Sequence, residues 1–247
     1  MPSFAVILPA AGQSSRFGAA EKKPFLPLDG KAIWQRSADL FWKRPDVRGV
    51  YIVVSPEDRE SFVSRSGAIC SFMDAEVVTG GAERFESVAN ALARIPESVE
   101  YVAVHDAVRP LLTPSAIDEV FAAAVQHGAA MLAVPVADTL KRVDGSTQRI
   151  VETVPRAGLW AAQTPQVFRR DWLTEAYAKR HELKGAITDD AQLVEALGHS
   201  VFAVPGSPAN FKITTRDDFD LAEAILKARQ PKASAPTLAP FDEDAKW

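Results

Sequence analysis

The chain has 247 residues, 47% of them hydrophobic and 24% charged, the composition of a soluble globular protein that can bury a large core as one α/β domain or two small ones. A net charge of −4 gives no reason to expect nucleic acid as a partner, so any cationic site must be local. The lone cysteine, Cys70, excludes an internal disulfide and a cysteine-rich metal site, and it suits a reducing cytosol.

At the N-terminus, MPSFAVILPAAG has no basic n-region and is interrupted by Pro9, so it reads poorly as a signal peptide. Phe4–Leu8 is instead the first candidate buried strand. It opens into small residues (Ala10, Ala11, Gly12) and then into the cations Arg16, Lys22 and Lys23. Small residues let backbone N–H groups approach phosphate oxygens closely. Arg16 and Lys23, seven residues apart, could flank a phosphate whose charge grows in a transition state; the alternative is solvated surface. The Gly-Lys-Ser/Thr of a P-loop and the GxGxxG of a dinucleotide site are both missing, which leaves a P-loop NTPase and a nicotinamide enzyme without support.

Val50–Val54, Glu76–Val78, Tyr101–Val104 and Ala130–Val134 are further candidate strands, rich in Val, Ile and Leu without strict alternation, as expected of a sheet covered on both faces. In Glu83–Ile95 the apolar residues Val88, Ala91, Leu92 and Ile95 recur at helical spacing. Strand and helix alternate over the first 135 residues, which predicts a doubly wound, mostly parallel sheet. Its ligand crevice would lie beyond the carboxyl ends of the strands, where the opening loop, Gly80-Gly81 and His105-Asp106 all fall. Ser87 could hydrogen-bond a base edge or cap the helix. Asp106 could hold a metal ion or a ribose hydroxyl, with Arg109 pairing it or a substrate phosphate, whereas His105 reads as a packed imidazole bonded to backbone.

Farther along, Gly128 to Ala137 is apolar but contains Pro135 and is too short to span a bilayer; no membrane partner is expected. Asp138–Val154 carries Asp144-Gly145 between segments with β-branched residues, a hairpin signal, and its low apolar content suggests an arm projecting from the domain. Thr188-Asp189-Asp190 reads as a helix start. Arg216–Arg229 is a helix introduced by Thr215 with Asp218 three residues on, like a capping box. One domain over 1–229, including an arm at about 138–156, and a flexible tail over 230–247 are expected.

In order and spacing, AAGQSSR, KKPF, GGAERFESV, HDAVRP, DTLKR, RAGLWAAQTPQVF, ITDDA and NFKITT resemble the 2-C-methyl-D-erythritol 4-phosphate cytidylyltransferases from about Phe4 to Leu226. The resemblance implies a Rossmann-like nucleotidyltransferase fold and transfer of CMP from CTP to 2-C-methyl-D-erythritol 4-phosphate, giving 4-diphosphocytidyl-2-C-methyl-D-erythritol and pyrophosphate, with Mg²⁺ bound alongside CTP. It implies that Arg16 and Lys23 stabilise charge at the α-phosphate and that Arg156 and Lys212 place the attacking phosphate. Asp106, Arg109, Thr139 and Thr164 would face the polyol, and Ala10, Ala11, Gly12, Gly80 and Ser87 the cytidine. It further implies a cytoplasmic homodimer in which the arm crosses to the partner, bringing Arg156 to the other site. One position departs: Ser14 stands where the family's loop usually has its second glycine. Ribitol 5-phosphate cytidylyltransferases share similar loops, and a catalytically silent nucleotide-binding protein is the alternative from another class.

Overall fold

A computed structural model of the protein describes residues 1–12, 22–183 and 185–229. The expectations placed on Ser14, Arg16 and the 230–247 tail lie outside them.

The first strand, β1 (Phe4–Pro9), shows why the sequence reads as a continuous apolar run. Phe4, Val6 and Leu8 pack into one core and Ala5 and Ile7 into another on the opposite face, all at 2% exposure or less. A strand buried on both faces has no solvent side to make polar. The chain continues through the short pair β2 (Pro27–Leu28) and β3 (Lys31–Ala32), helix α1 (Ile33–Asp39), β4 (Val47–Val54), α2 (Arg59–Phe72), β5 (Ala75–Thr79), α3 (Arg84–Leu92) and β6 (Tyr101–Val104). The predicted stripe on α3 is buried, with Val88, Ala91, Leu92 and Ile95 all at 5% or less.

Then come α4 (Pro114–His127), β7 (Ala129–Pro135), the arm strands β8 (Leu140–Val143) and β9 (Ile150–Val154), β10 (Trp160–Arg169), α5 (Arg170–Ala178), α6 (Asp190–Ala196), β11 (Phe202–Pro205) and α7 (Arg216–Arg229). The central sheet has seven strands in the order β11-β7-β10-β6-β1-β4-β5. Strand β1 lies between β4 and β6, parallel to both, so consecutive connections depart to opposite sides of it. That is the switch point at which α/β sheets bind ligands.

Two strands of the central sheet were not expected. β10 runs antiparallel to both neighbours; Pro165 and two glutamines hide it in the sequence. Its register slips between Ala162 and Gln166, and Pro165 sits in that irregularity, where a missing N–H costs no ladder bond. β11 is only four residues long. The antiparallel course matters for function. It sets Gln166 opposite Val104, so residues 163–164 stand just past the carboxyl end of β6.

The arm is a separate two-stranded sheet inserted between β7 and β10, and it leaves the domain from that same end. Arg142–Glu152 and Lys141–Thr153 pair across it. Its turn departs from a two-residue Asp-Gly hairpin. Asp144 N–H donates to the Arg149 carbonyl, and the left-handed residue is Gln148 at φ 55°, not Gly145. The Asp144 carboxylate organises the longer loop by accepting from both the backbone and the hydroxyls of Ser146 and Thr147.

Candidate active site

Five segments converge beyond the carboxyl ends of β1, β5 and β6. A cleft of about 260 Å³ is lined by Ala10, Ala11 and Gly12 after β1, Lys23 and Pro24, residues 81–84 and Ser87, Asp106, and Lys212. A second cleft of about 240 Å³ shares Arg84, Asp106 and Lys212 and adds Arg109, Gln163, Thr164 and Thr188. Asp106 therefore stands in the wall between two cavities.

Its position is built from below. The Asp106 N–H donates to Thr164 Oγ1 at 3.0 Å, and Thr164 Oγ1 lies 3.0 Å from His105 Nδ1. His105 Nε2 faces the Arg109 carbonyl at 3.1 Å. A carbonyl only accepts, so Nε2 carries the proton and Nδ1 accepts the Thr164 hydroxyl. His105 is thus the packed imidazole expected, with the added task of closing the 105–109 turn. Thr164, expected at the polyol, is 5% exposed; it faces the second cleft but gives its hydroxyl hydrogen to His105.

Burial pushes the His105 imidazole down to about 4, against the attraction of Asp106. An unfolded histidine titrates near 6.5, so between those values the unfolded chain takes a proton that the native chain refuses. Stability must fall as pH drops through that window, by about 3 kcal/mol in all. Denaturant unfolding at pH 7 and pH 4.5 should show this slope in the native protein and a flatter one in His105→Gln. Equal slopes in the two would show that His105 does not cause it.

Around the carboxylate stand three cations. Asp106 Oδ2 lies 3.1 Å from Arg109 Nε and 3.3 Å from Lys212 Nζ, and Oδ1 lies 3.6 Å from Arg84 Nε. Burial alone would raise the Asp106 pKa, but Lys212, Arg84 and Arg109 together hold it well below the usual carboxylate range. Arg109 is fixed by donating to the Asn210 carbonyl, and Lys212 by the backbone bond from Ile213 N–H to the Val108 carbonyl. The expected capping box follows directly: Thr215 N–H donates to Asp218 and Asp218 N–H donates to Thr215 Oγ1. Lys23, 9% exposed, turns into the first cleft with Nζ 3.5 Å from the Thr214 carbonyl. Its neighbour Lys22 turns away, pairing with Asp58 at 2.6 Å and Glu57 at 3.2 Å.

Several expected residues stand elsewhere. Gly80 lies behind the wall of the first cleft, where a Cβ would come within 2.7 Å of Ser87 Oγ and 3.0 Å of Ala11 Cβ. The lining positions are Gly81 and Ala82. Ser87 lines the cleft but does not cap α3; that helix is capped by the Glu83–Glu86 box, and Ser87 Oγ accepts the Gly81 N–H instead. Thr139 and Arg156 are exposed at the base of the arm and line neither cleft. Asp189 caps α6 as the sequence suggested, accepting the Gln192 N–H. Two participants were missed. Arg84 sits unremarked inside GGAERFES, and Gln166 reads as an ordinary strand residue although its side chain holds the start of α6. No periodicity marks either.

An open, mostly parallel sheet with a cation-rimmed switch-point crevice, divided by one buried carboxylate, defines a Rossmann-like nucleotidyltransferase. Its residues 4–228 match the family model described as 2-C-methyl-D-erythritol 4-phosphate cytidylyltransferase. Enzymes of that name from Rhodopirellula baltica and Bacillus velezensis are 44% and 43% identical, each over 91% of this chain and 95% and 96% of the relative. The crystal structure of the Thermus thermophilus enzyme of that name superposes with a TM-score of 0.74 at 34% identity, covering 92% of this chain and all of the other. The chain belongs to the 2-C-methyl-D-erythritol 4-phosphate cytidylyltransferase family.

Proposed function

We propose that the protein transfers CMP from CTP to 2-C-methyl-D-erythritol 4-phosphate, releasing pyrophosphate. The observation that carries this reading is Asp106 and its three cations in the wall between two clefts, one lined by the small-residue loop and the other by polar groups. CTP occupies the first cleft, with Ala10, Ala11, Gly12 and Ser87 around the cytidine, Gly80 shaping the wall behind, and Arg16 and Lys23 at the α-phosphate. The sugar phosphate enters the second, where Asp106, Arg109 and Thr164 meet the polyol and Lys212 meets the phosphate; Thr139 and Arg156, which line neither cleft of their own chain, join the polyol and phosphate contacts from the arm of a second copy.

A phosphate oxygen of the sugar phosphate forms a bond to the α-phosphorus of CTP as the bond to the β-phosphate oxygen breaks, and that electron pair leaves on pyrophosphate. A phosphate monoester is already largely dianionic near neutral pH, so no protein base is needed. Alignment and stabilisation of the charge on five-coordinate phosphorus supply the rate.

Among the described residues no group of three or more His, Cys, Asp or Glu side chains could hold a metal ion, and both Asp106 oxygens already face cations. These residues do not fit a protein-held Mg²⁺. In this reading Mg²⁺ comes in as the counter-ion of CTP, as part of the substrate.

The exposed Arg156 supports a homodimer in which the arm delivers it to the partner's second cleft. Val143, Ile150, Val151 and Trp160, each more than 40% exposed, supply apolar surface on and beside the arm for that contact. Among the described residues no helix is long and apolar enough to cross a membrane, and a cytoplasmic setting completes the reading. Pyrophosphate release with CTP, measured against a panel of sugar-alcohol phosphates, tests it. Turnover should be fastest with methylerythritol phosphate; preference for ribitol 5-phosphate, or no turnover with any acceptor, would overturn the assignment.

A further inference from the structure

Arg84 opens α3 and has no part in the mechanism above, yet its guanidinium spans carboxylates from two distant elements. Nη2 lies 2.9 Å from Asp190 Oδ2 and Nε lies 3.6 Å from Asp106 Oδ1. Asp190 begins α6, is 1% exposed and lines neither cleft. Its other oxygen accepts the Tyr177 hydroxyl. Burial, with the Asp190 charge added, pushes the Tyr177 phenol far above its usual range, so it remains a donor. The start of α6 is fixed in turn by Gln166 Oε1, which accepts the N–H groups of Asp190 and Ala191 at 3.1 and 3.0 Å.

A buried carboxylate needs partners, and this one has two. A planar guanidinium can face two carboxylates at once, whereas an ammonium on a flexible stem acts as a point charge. Arg84 thus ties Asp106, whose Oδ2 faces Arg109 and Lys212, to an anchor that neither substrate would touch.

We propose that Arg84 is a positioning residue for the transfer reaction: anchored by Asp190, it holds the Asp106 carboxylate, and through it Lys212, in place for the sugar phosphate. The proposal rests on the reading of the two clefts given above. It concerns the second substrate, although Arg84 also borders the nucleotide cleft, because both its carboxylate partners compete with any phosphate for its charge.

Asp190→Asn and Arg84→Lys test it by steady-state pyrophosphate release with each substrate varied separately. Asparagine keeps the shape and an acceptor for Tyr177 but removes the anchoring charge; lysine keeps the charge but cannot span both carboxylates. Each should raise KM for methylerythritol phosphate about tenfold and lower kcat several-fold, well short of the ~10²-fold cost of a 1 Å misplacement. KM for CTP should stay within about twofold. A rise confined to the CTP KM would make Arg84 a nucleotide ligand. A lower Tm with unchanged kinetic constants would make it a folding brace, and full activity in Arg84→Lys would show that charge alone suffices. Should Asp190→Asn fail to fold, Arg84→Lys decides alone. Wild-type turnover is measured first, so failure of the reaction assignment is seen separately from failure of this proposal.

Discussion

Lys23→Ala is expected to lower kcat by about 10²- to 10³-fold while KM for CTP changes only a few-fold. Lys23 is 9% exposed and lines the first cleft, so its ammonium is held at the cleft wall and largely out of water. In the proposed reaction the α-phosphorus gains charge as it becomes five-coordinate, and a fixed cation at the cleft wall then interacts more strongly than in the ground state. Removing one such contact typically costs about 2.7–4 kcal/mol of barrier. The measurement is steady-state kinetics with CTP varied, alongside a thermal melt to confirm folding. Full kcat with weakened CTP affinity would make Lys23 a ground-state ligand. Arg16→Ala is expected to behave in the same way.

The second large effect tests the arm. Arg156→Ala and Lys212→Ala should each raise KM for methylerythritol phosphate, leave KM for CTP nearly unchanged and reduce kcat severely, because a misplaced nucleophile loses its alignment. Lys212 lies at the wall between the clefts, 3.3 Å from Asp106, while Arg156 of the same chain lines neither cleft. If Arg156 serves the partner's site, mixing the two inactive variants with subunit exchange restores activity. In a mixed dimer one site carries both defects and the other neither, giving about a quarter of wild-type activity per chain when half the dimers are mixed. If the arm folds back on its own site, every site keeps one defect and mixing restores nothing. That result would discard the cross-subunit arm and leave the cytidylyltransferase assignment standing.

Much of the site was legible because its chemistry is local. The strand-to-small-residue loop at Pro9–Gly12, the Asp at the end of β6 and the Thr215–Asp218 box each follow from a few consecutive residues. Arg84 was not legible, since its meaning depends on Asp106 and Asp190, 22 and 106 positions away. The place of Gly80 was not legible either, for a related reason: a glycine signals close approach, and only the fold shows that what approaches it is Ser87 and Ala11.

By itself the sequence determined the two-sided core, the five central-sheet strands of the first 135 residues, the α3 stripe, the arm and the family, because periodicity, burial and turn chemistry are short-range properties of the chain. Only the tertiary structure decided the antiparallel course of β10. A strand's direction depends on which neighbours its backbone can pair with, and nothing within Trp160–Arg169 encodes those. That course brings Thr164 beneath the Asp106 amide and Gln166 to the start of α6. The site's inner wall therefore rests on hydrogen bonds between segments more than twenty residues apart in the chain, which no local pattern can announce.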